Sequence, residues 1–153
     1  IDMIRYSGKT GLVDTDLVKN CVDDVRDASV FDFVDALFRK DPKALGLCRK
    51  VREDETPDLR ILFLIMRQAE MIETFYALVE NGVPPEEAMT KAGVYSKNRE
   101  KFWRYTETFP RDRLRRVFIL ISSADYSLKS GSASKDLIAS PVFKLVSEML
   151  FTA

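Results

Sequence analysis

The chain has 153 residues, 46% of them apolar and 31% charged, with 24 basic and 24 acidic side chains and no histidine. That composition is ordinary for one soluble globular domain. Without histidine, Ser-His-Asp and Cys-His catalysis and the usual base near neutral pH are excluded, and no apolar run reaches the roughly 18 residues of a membrane span.

The elements read as helices almost throughout. The chain opens on Ile1 rather than methionine, which suggests a piece of a longer protein. "YSGKTG" (6–11) ends like a phosphate-binding loop, but the full pattern G-x-x-x-x-G-K-[ST] needs a glycine where Met3 stands. Ile1, Ile4 and Tyr6 instead recur at helical spacing, so Gly8 reads as the residue that ends a helix. Neither binding nor hydrolysis of ATP is expected. Residues 14–22 form a second short helix with Asp14 as its cap.

Ser29 is placed to cap the helix "VFDFVDALFRK", in which Val30, Phe33, Val34 and Leu37 share one side. Asp41 and Pro42 open the next helix, whose apolar side is Ala44, Leu45, Leu47, Cys48 and Val51. "TPDLRILFLIMRQAEMIETFYALVENG" is the strongest element, capped by Thr56, opened by Pro57 and closed by Gly82. Its apolar residues surround the axis from Leu59 to Met66, which predicts a central helix packed on several sides. "PPEEAMTKAG" is a short helix ending at Gly93. "SKNREKFWRYTETF" is another, with Phe102, Tyr105 and Phe109 on one face. "PRDRLRRVFILISSADYSLKSG" is long, with Leu114, Val117, Phe118, Ile121 and Leu128 inward. "SGSAS" is a loop, and Ser140-Pro141 starts a final helix with Val142, Leu145, Val146, Met149 and Leu150 inward. The fold class is therefore all-α, a helical bundle.

Few residue patterns carry chemistry. Cys21 and Cys48 lack metal-ligand spacing and read as two buried free thiols rather than a disulfide. The carboxylate pairs Asp23-Asp24 and Glu86-Glu87 are sequence neighbours, which point apart on a helix and read as solvated surface. Neither a metal nor a cofactor is expected. Charge, by contrast, is unevenly spread. Residues 61–90 hold one Arg and five Glu, a net of −4, and residues 91–116 hold nine Lys or Arg against three acids, a net of +6. Lys97, Lys101 and Arg104 recur at i, i+4 and i+7, as on one helix face, with Tyr95 and Trp103 among them. Such a face attracts phosphate backbones, and its aromatics can stack on unpaired bases. It can equally be solvated surface pairing with Glu70, Glu73 and Glu80, with Arg99 lying against Trp103 at the core edge.

From Ser29 onward the order of features resembles the C-terminal part of the delta subunit of bacterial DNA polymerase III, the clamp-loader subunit that opens the sliding clamp. The resemblance rests on four stretches. The first is "SVFDFVDALFRKDPKAL". The second is "LRILFLIMRQAEMI", matching a leucine stretch with its polar pair, here Arg67-Gln68 in reversed order and without the second arginine. The others are "AGVYSKNREKFWRYTETFPRDRLRRVF" and "LISSADYSLKSG". It implies that residues 1–28 are the end of a helical lid domain and 29–153 a collar domain. The family's clamp-contacting, AAA+-like module would precede both, and no working ATP site is implied even in the complete subunit. It further implies a non-catalytic, cytoplasmic protein whose partners are the gamma/tau and delta-prime type subunits of the loader, with primer–template DNA held below the collar. Under this resemblance Tyr126, Phe143 and Phe151 are candidates for a subunit interface, and Tyr95, Lys97, Lys101 and Arg104 for a DNA-facing surface. A self-contained helical adaptor, binding a partner peptide and unrelated to replication, is the competing class.

Overall fold

The computed structural model describes residues 29–131 and 140–152. The proposed turn at Gly8, the helix over 14–22 with its Asp14 cap, and Cys21 all lie outside them, as does most of the loop after Gly131. Helix α1 comprises residues 29–38, and α2 spans Lys43–Glu53. Then come α3 (Asp58–Glu80), α4 (Pro85–Lys91), a 3₁₀ turn (Ser96–Asn98), α5 (Arg99–Thr108), α6 (Arg111–Lys129) and α7 (Pro141–Phe151). The described residues contain no strand, and the molecule is all-α as the periodicity predicts.

The 23-residue α3 is the axis of the bundle, packing against α4, α5, α6 and α7. It buries Ile61, Leu62, Ile65, Ala69, Ile72 and Phe75, a stripe at 3–4 residue spacing. The expected all-round burial of its first half is not found: Leu59 and Phe63 are each 53% exposed. These two lie four residues apart, away from the stripe that meets the other helices. Helix α6 buries Leu114, Val117, Ile121 and Ala124, whereas Phe118 and Leu128 are only half-buried. Helix α7 buries all five of the residues expected to face inward. Cys48 is a free, buried thiol, and burial pushes its pKa from 9.0 up to about 11, with Arg52 pulling the other way.

Helix ends follow local chemistry, with two shifts from expectation. Ser29 is already helical, so it does not cap α1. Pro57 has ψ 139°, which is extended, so α3 opens one residue later, at Asp58, with no side-chain cap from Thr56. The Arg52 guanidinium instead grips the Asp58 carboxylate, at 3.1 Å from Nε and 3.4 Å from Nη2, joining the end of α2 to the start of α3. At α2 the expected cap is present: the Lys43 amide donates to Asp41 Oδ1 at 3.0 Å, and Pro42 has helical dihedrals.

Four helices end on one design. After α3 the Val83 amide reaches back to the Leu78 carbonyl and the Gly82 amide to Val79, both at 3.0 Å. This double closure needs a residue with positive φ between them, and Gly82 has φ +87°. Gly93 does the same after α4 at φ +94°, bringing the amide of buried Val94 to Met89. After α1 and α2 the same turn is made by Lys40 (φ +54°) and Glu55 (φ +62°), side chains that resist this region. Gly82→Ala should therefore cost roughly 1 kcal/mol through backbone strain alone, since a Cβ there would meet nothing within 4 Å. Glu55→Gly should be neutral or stabilising by up to about 1 kcal/mol on the same grounds. Urea denaturation of the two variants checks both signs.

Candidate nucleic-acid and subunit interface

Helix α5 is the element that carries most of the basic candidates, and three anchors fix it. Its inner face buries Phe102 and Tyr105. Phe102 meets Phe75 of α3 edge-on at 5.5 Å between centroids, and Phe38 of α1 lies 6.0 Å from Tyr105 and 5.4 Å from Phe109. Such tilted ring pairs are favourable beyond the area they bury. At the end of α5 the Tyr76 hydroxyl lies 2.6 Å from the Thr106 carbonyl and 3.1 Å from that of Phe109. It donates where the last turn has no amides left to pair its carbonyls. Burial raises the pKa of this phenol, keeping its proton in place. The third anchor is the Tyr105 hydroxyl, which donates to Asp35 Oδ1 of α1. Arg39 pairs with the other oxygen at 2.9 Å. Burial first, and the Asp35 hydrogen bond second, push the Tyr105 phenol well up.

Between α1, α3 and α5 these anchors leave a groove of about 350 Å³. Its floor is Val34, Phe102 and Tyr105, and its charged and aromatic rim is Phe31, Arg67, Tyr95 and Lys101. Tyr95 is 73% and Phe31 58% exposed. The structure thus brings Tyr95 and Lys101 together, but not the full predicted set. Lys97 belongs to the 3₁₀ turn, and Asn98 has non-helical dihedrals (φ −105°, ψ 1°), so Lys97 does not share a continuous α-helical face with Lys101 and Arg104. The i, i+4, i+7 reading required one α-helix from Ser96 onward, and α5 begins only at Arg99. Arg104 lies on α5 but pairs with Glu100 at 3.3 Å on the surface. Neither Lys97 nor Arg104 lines the groove.

The predicted pairing between the basic and acidic segments does occur, through a different cation. Arg111, at the start of α6, reaches Glu73 Oε1 at 2.8 Å and also contacts Glu80, both on α3. Lys97 and Lys101 form no ion pair with any described residue. Arg99 does not cover Trp103; its Nη2 donates to Thr90 Oγ1 at 2.8 Å. Trp103 packs on the core edge as expected, with its ring 6.3 Å from Phe75. Sequence reasoning missed Phe31 and Arg67 as rim residues, because both were absorbed into helix patterns read one element at a time.

The candidate interface residues sit elsewhere. Tyr126, near the end of α6, is 75% exposed, and Phe151, at the end of α7, is 63% exposed. Phe143 is only half-buried and packs against the core from α7. Ile119, seven residues before Tyr126 on α6, is 69% exposed, and that separation of two turns places both on one side of the helix. No helix among the described residues is long and apolar enough to cross a membrane.

The sequence matches the family described as DNA polymerase III delta subunit, C-terminal domain, over residues 27–148, and the chain belongs to that family. No curated protein and no solved structure matches it.

The groove floor is directly testable. Tyr105→Phe removes the hydroxyl but keeps the ring contacts, so the cost should be that of one hydrogen bond to a charged group, about 1.5–3 kcal/mol. Tyr105→Leu should cost more, because the ring pairs with Phe38 and Phe102 go as well. Chemical denaturation of both variants gives the comparison.

Proposed function

We propose that this chain is the collar module of a clamp-loader delta subunit, a non-catalytic domain that holds the subunit in the loader while the sliding clamp is loaded for DNA replication. The observation that carries this reading is the family match across residues 27–148. In this reading residues 29–153 form the collar and 1–28 the end of the preceding lid. The neighbours are the gamma/tau and delta-prime type subunits, and the clamp is contacted only through an N-terminal module outside this sequence. The domain works in the cytoplasm and needs no cofactor of its own.

Two surfaces divide the work. Tyr126, Phe143 and Phe151 belong to the subunit-facing surface of α6 and α7, and the exposure of Tyr126 and Phe151 supports it. Partner contacts are commonly built on such aromatic anchors. Tyr95, Lys97, Lys101 and Arg104 face the primer–template DNA in the assembled loader, supported by the +6 net charge of residues 91–116, nine cations less three acids.

Removing everything from Ser29 onward should abolish entry of the subunit into the loader, read by co-purification with the ATPase subunit. Assembly that persists would sink the collar reading. In an assembled loader, changing Lys97, Lys101 and Arg104 together to Ala should weaken primer–template binding. It should also flatten its log–log salt dependence by up to about three units, near 0.9 for each phosphate no longer neutralised. An unchanged slope would return those three cations to the solvated surface.

A further inference from the structure

We propose that the groove between α1, α3 and α5 seats one unpaired nucleotide of single-stranded DNA, its base stacked on Tyr95 and its phosphates held by Arg67 and Lys101. This rests on the reading that the chain works beside DNA, and adds to it a site, a strand type and two residues, Phe31 and Arg67.

The charge of the groove selects an anion. Asp35 is its one acidic lining residue, and its two oxygens are engaged by Arg39 and by the Tyr105 hydroxyl. Arg67 and Lys101 line the same groove and form no ion pair with any described residue. Two uncompensated cations thus face one space, and a phosphate chain complements them.

The aromatic rim selects unpaired bases over a duplex. Tyr95 follows buried Val94, whose amide is tied to the end of α4, and its own carbonyl accepts from the Asn98 amide at 2.8 Å. The backbone under the ring is therefore fixed while the ring itself stands in solvent. Neither Tyr95 nor Phe31 is paired with another ring among the described residues. Cations along a groove with free aromatic faces are the recurring platform for single strands, since every base offers a face to stack. A volume of about 350 Å³ sits at the lower end of the roughly 300–1,000 Å³ of small-ligand sites. That is room for one nucleotide.

The test uses the loader assembled with the complete subunit, and compares a duplex bearing a single-stranded dT overhang with the same duplex blunt-ended. Tyr95→Ala should lower affinity for the overhang substrate about tenfold, the worth of one stacked base, and lower affinity for the blunt duplex by much less. Tyr95→Trp should restore it. The double variant Arg67→Gln, Lys101→Gln should reduce the salt slope for the overhang by about 1.4 units, at roughly 0.7 per phosphate on a single strand. Equal overhang affinity for wild type and Tyr95→Ala overturns the proposal. So does a double variant that weakens subunit assembly while overhang binding stands, which would give the groove to a protein partner. Failure of the wild-type subunit to assemble would instead remove the collar reading. The same overhang comparison on the free subunit then decides the groove by itself.

Discussion

The structure depends on α5 being held against two other helices at once. A ten-residue helix is marginal alone, and α5 is polar along most of its length. Its position comes from a wedge of rings, Phe38 from α1 and Phe75 from α3, closing on Phe102 and Tyr105. Tyr76 then fixes its C-terminal end by meeting carbonyls that have no partner within the helix. Because the anchors come from both sides, the space between α1 and α3 cannot collapse, and the groove is what remains.

The same arrangement separates two kinds of charge. Arg39, Arg52 and Arg111 each bind a carboxylate that fixes one element to itself or to its neighbour. They are structural cations, partly shielded from water. Lys97, Lys101 and Arg67 bind none among the described residues, and all three side chains are exposed. A net charge of zero conceals this division, since attraction to a polyanion depends on the uncompensated cations rather than on the sum.

Much of the bundle was legible in the sequence because its signals are local. Gly82 and Gly93 end helices where their positive φ is needed, Asp41 and Pro42 start one, and the inward stripe of α7 follows from spacing alone. The errors arise where a second element decides. Leu59 and Phe63 read as buried because they continue an apolar run, yet burial requires a neighbour on that side and none of the described helices lies there. Lys97 joined a face that a single non-helical residue, Asn98, interrupts. The Arg111 bridge spans 38 residues to Glu73, so charge bookkeeping anticipated a tie between the two segments but not which cation makes it. The groove joins three helices that are distant in sequence, and only Tyr95 and Lys101 of its rim stood out beforehand.

Lys40 shows how two opposing effects can hide one another. It occupies a left-handed turn that glycine would accept more readily, and from there its Nζ stands 5.6 Å from the centre of the Phe109 ring. Backbone strain of about 1 kcal/mol is set against a cation–ring attraction of roughly 0.5–1 kcal/mol. Replacement by glycine relieves the first and deletes the second, so these two effects offset one another. A substitution scan would understate this contact, although it joins the end of the first helix to the rings that seat α5. Tolerance at such a site measures cancellation, and only a pairwise comparison with a Phe109 variant would bring the hidden coupling into view.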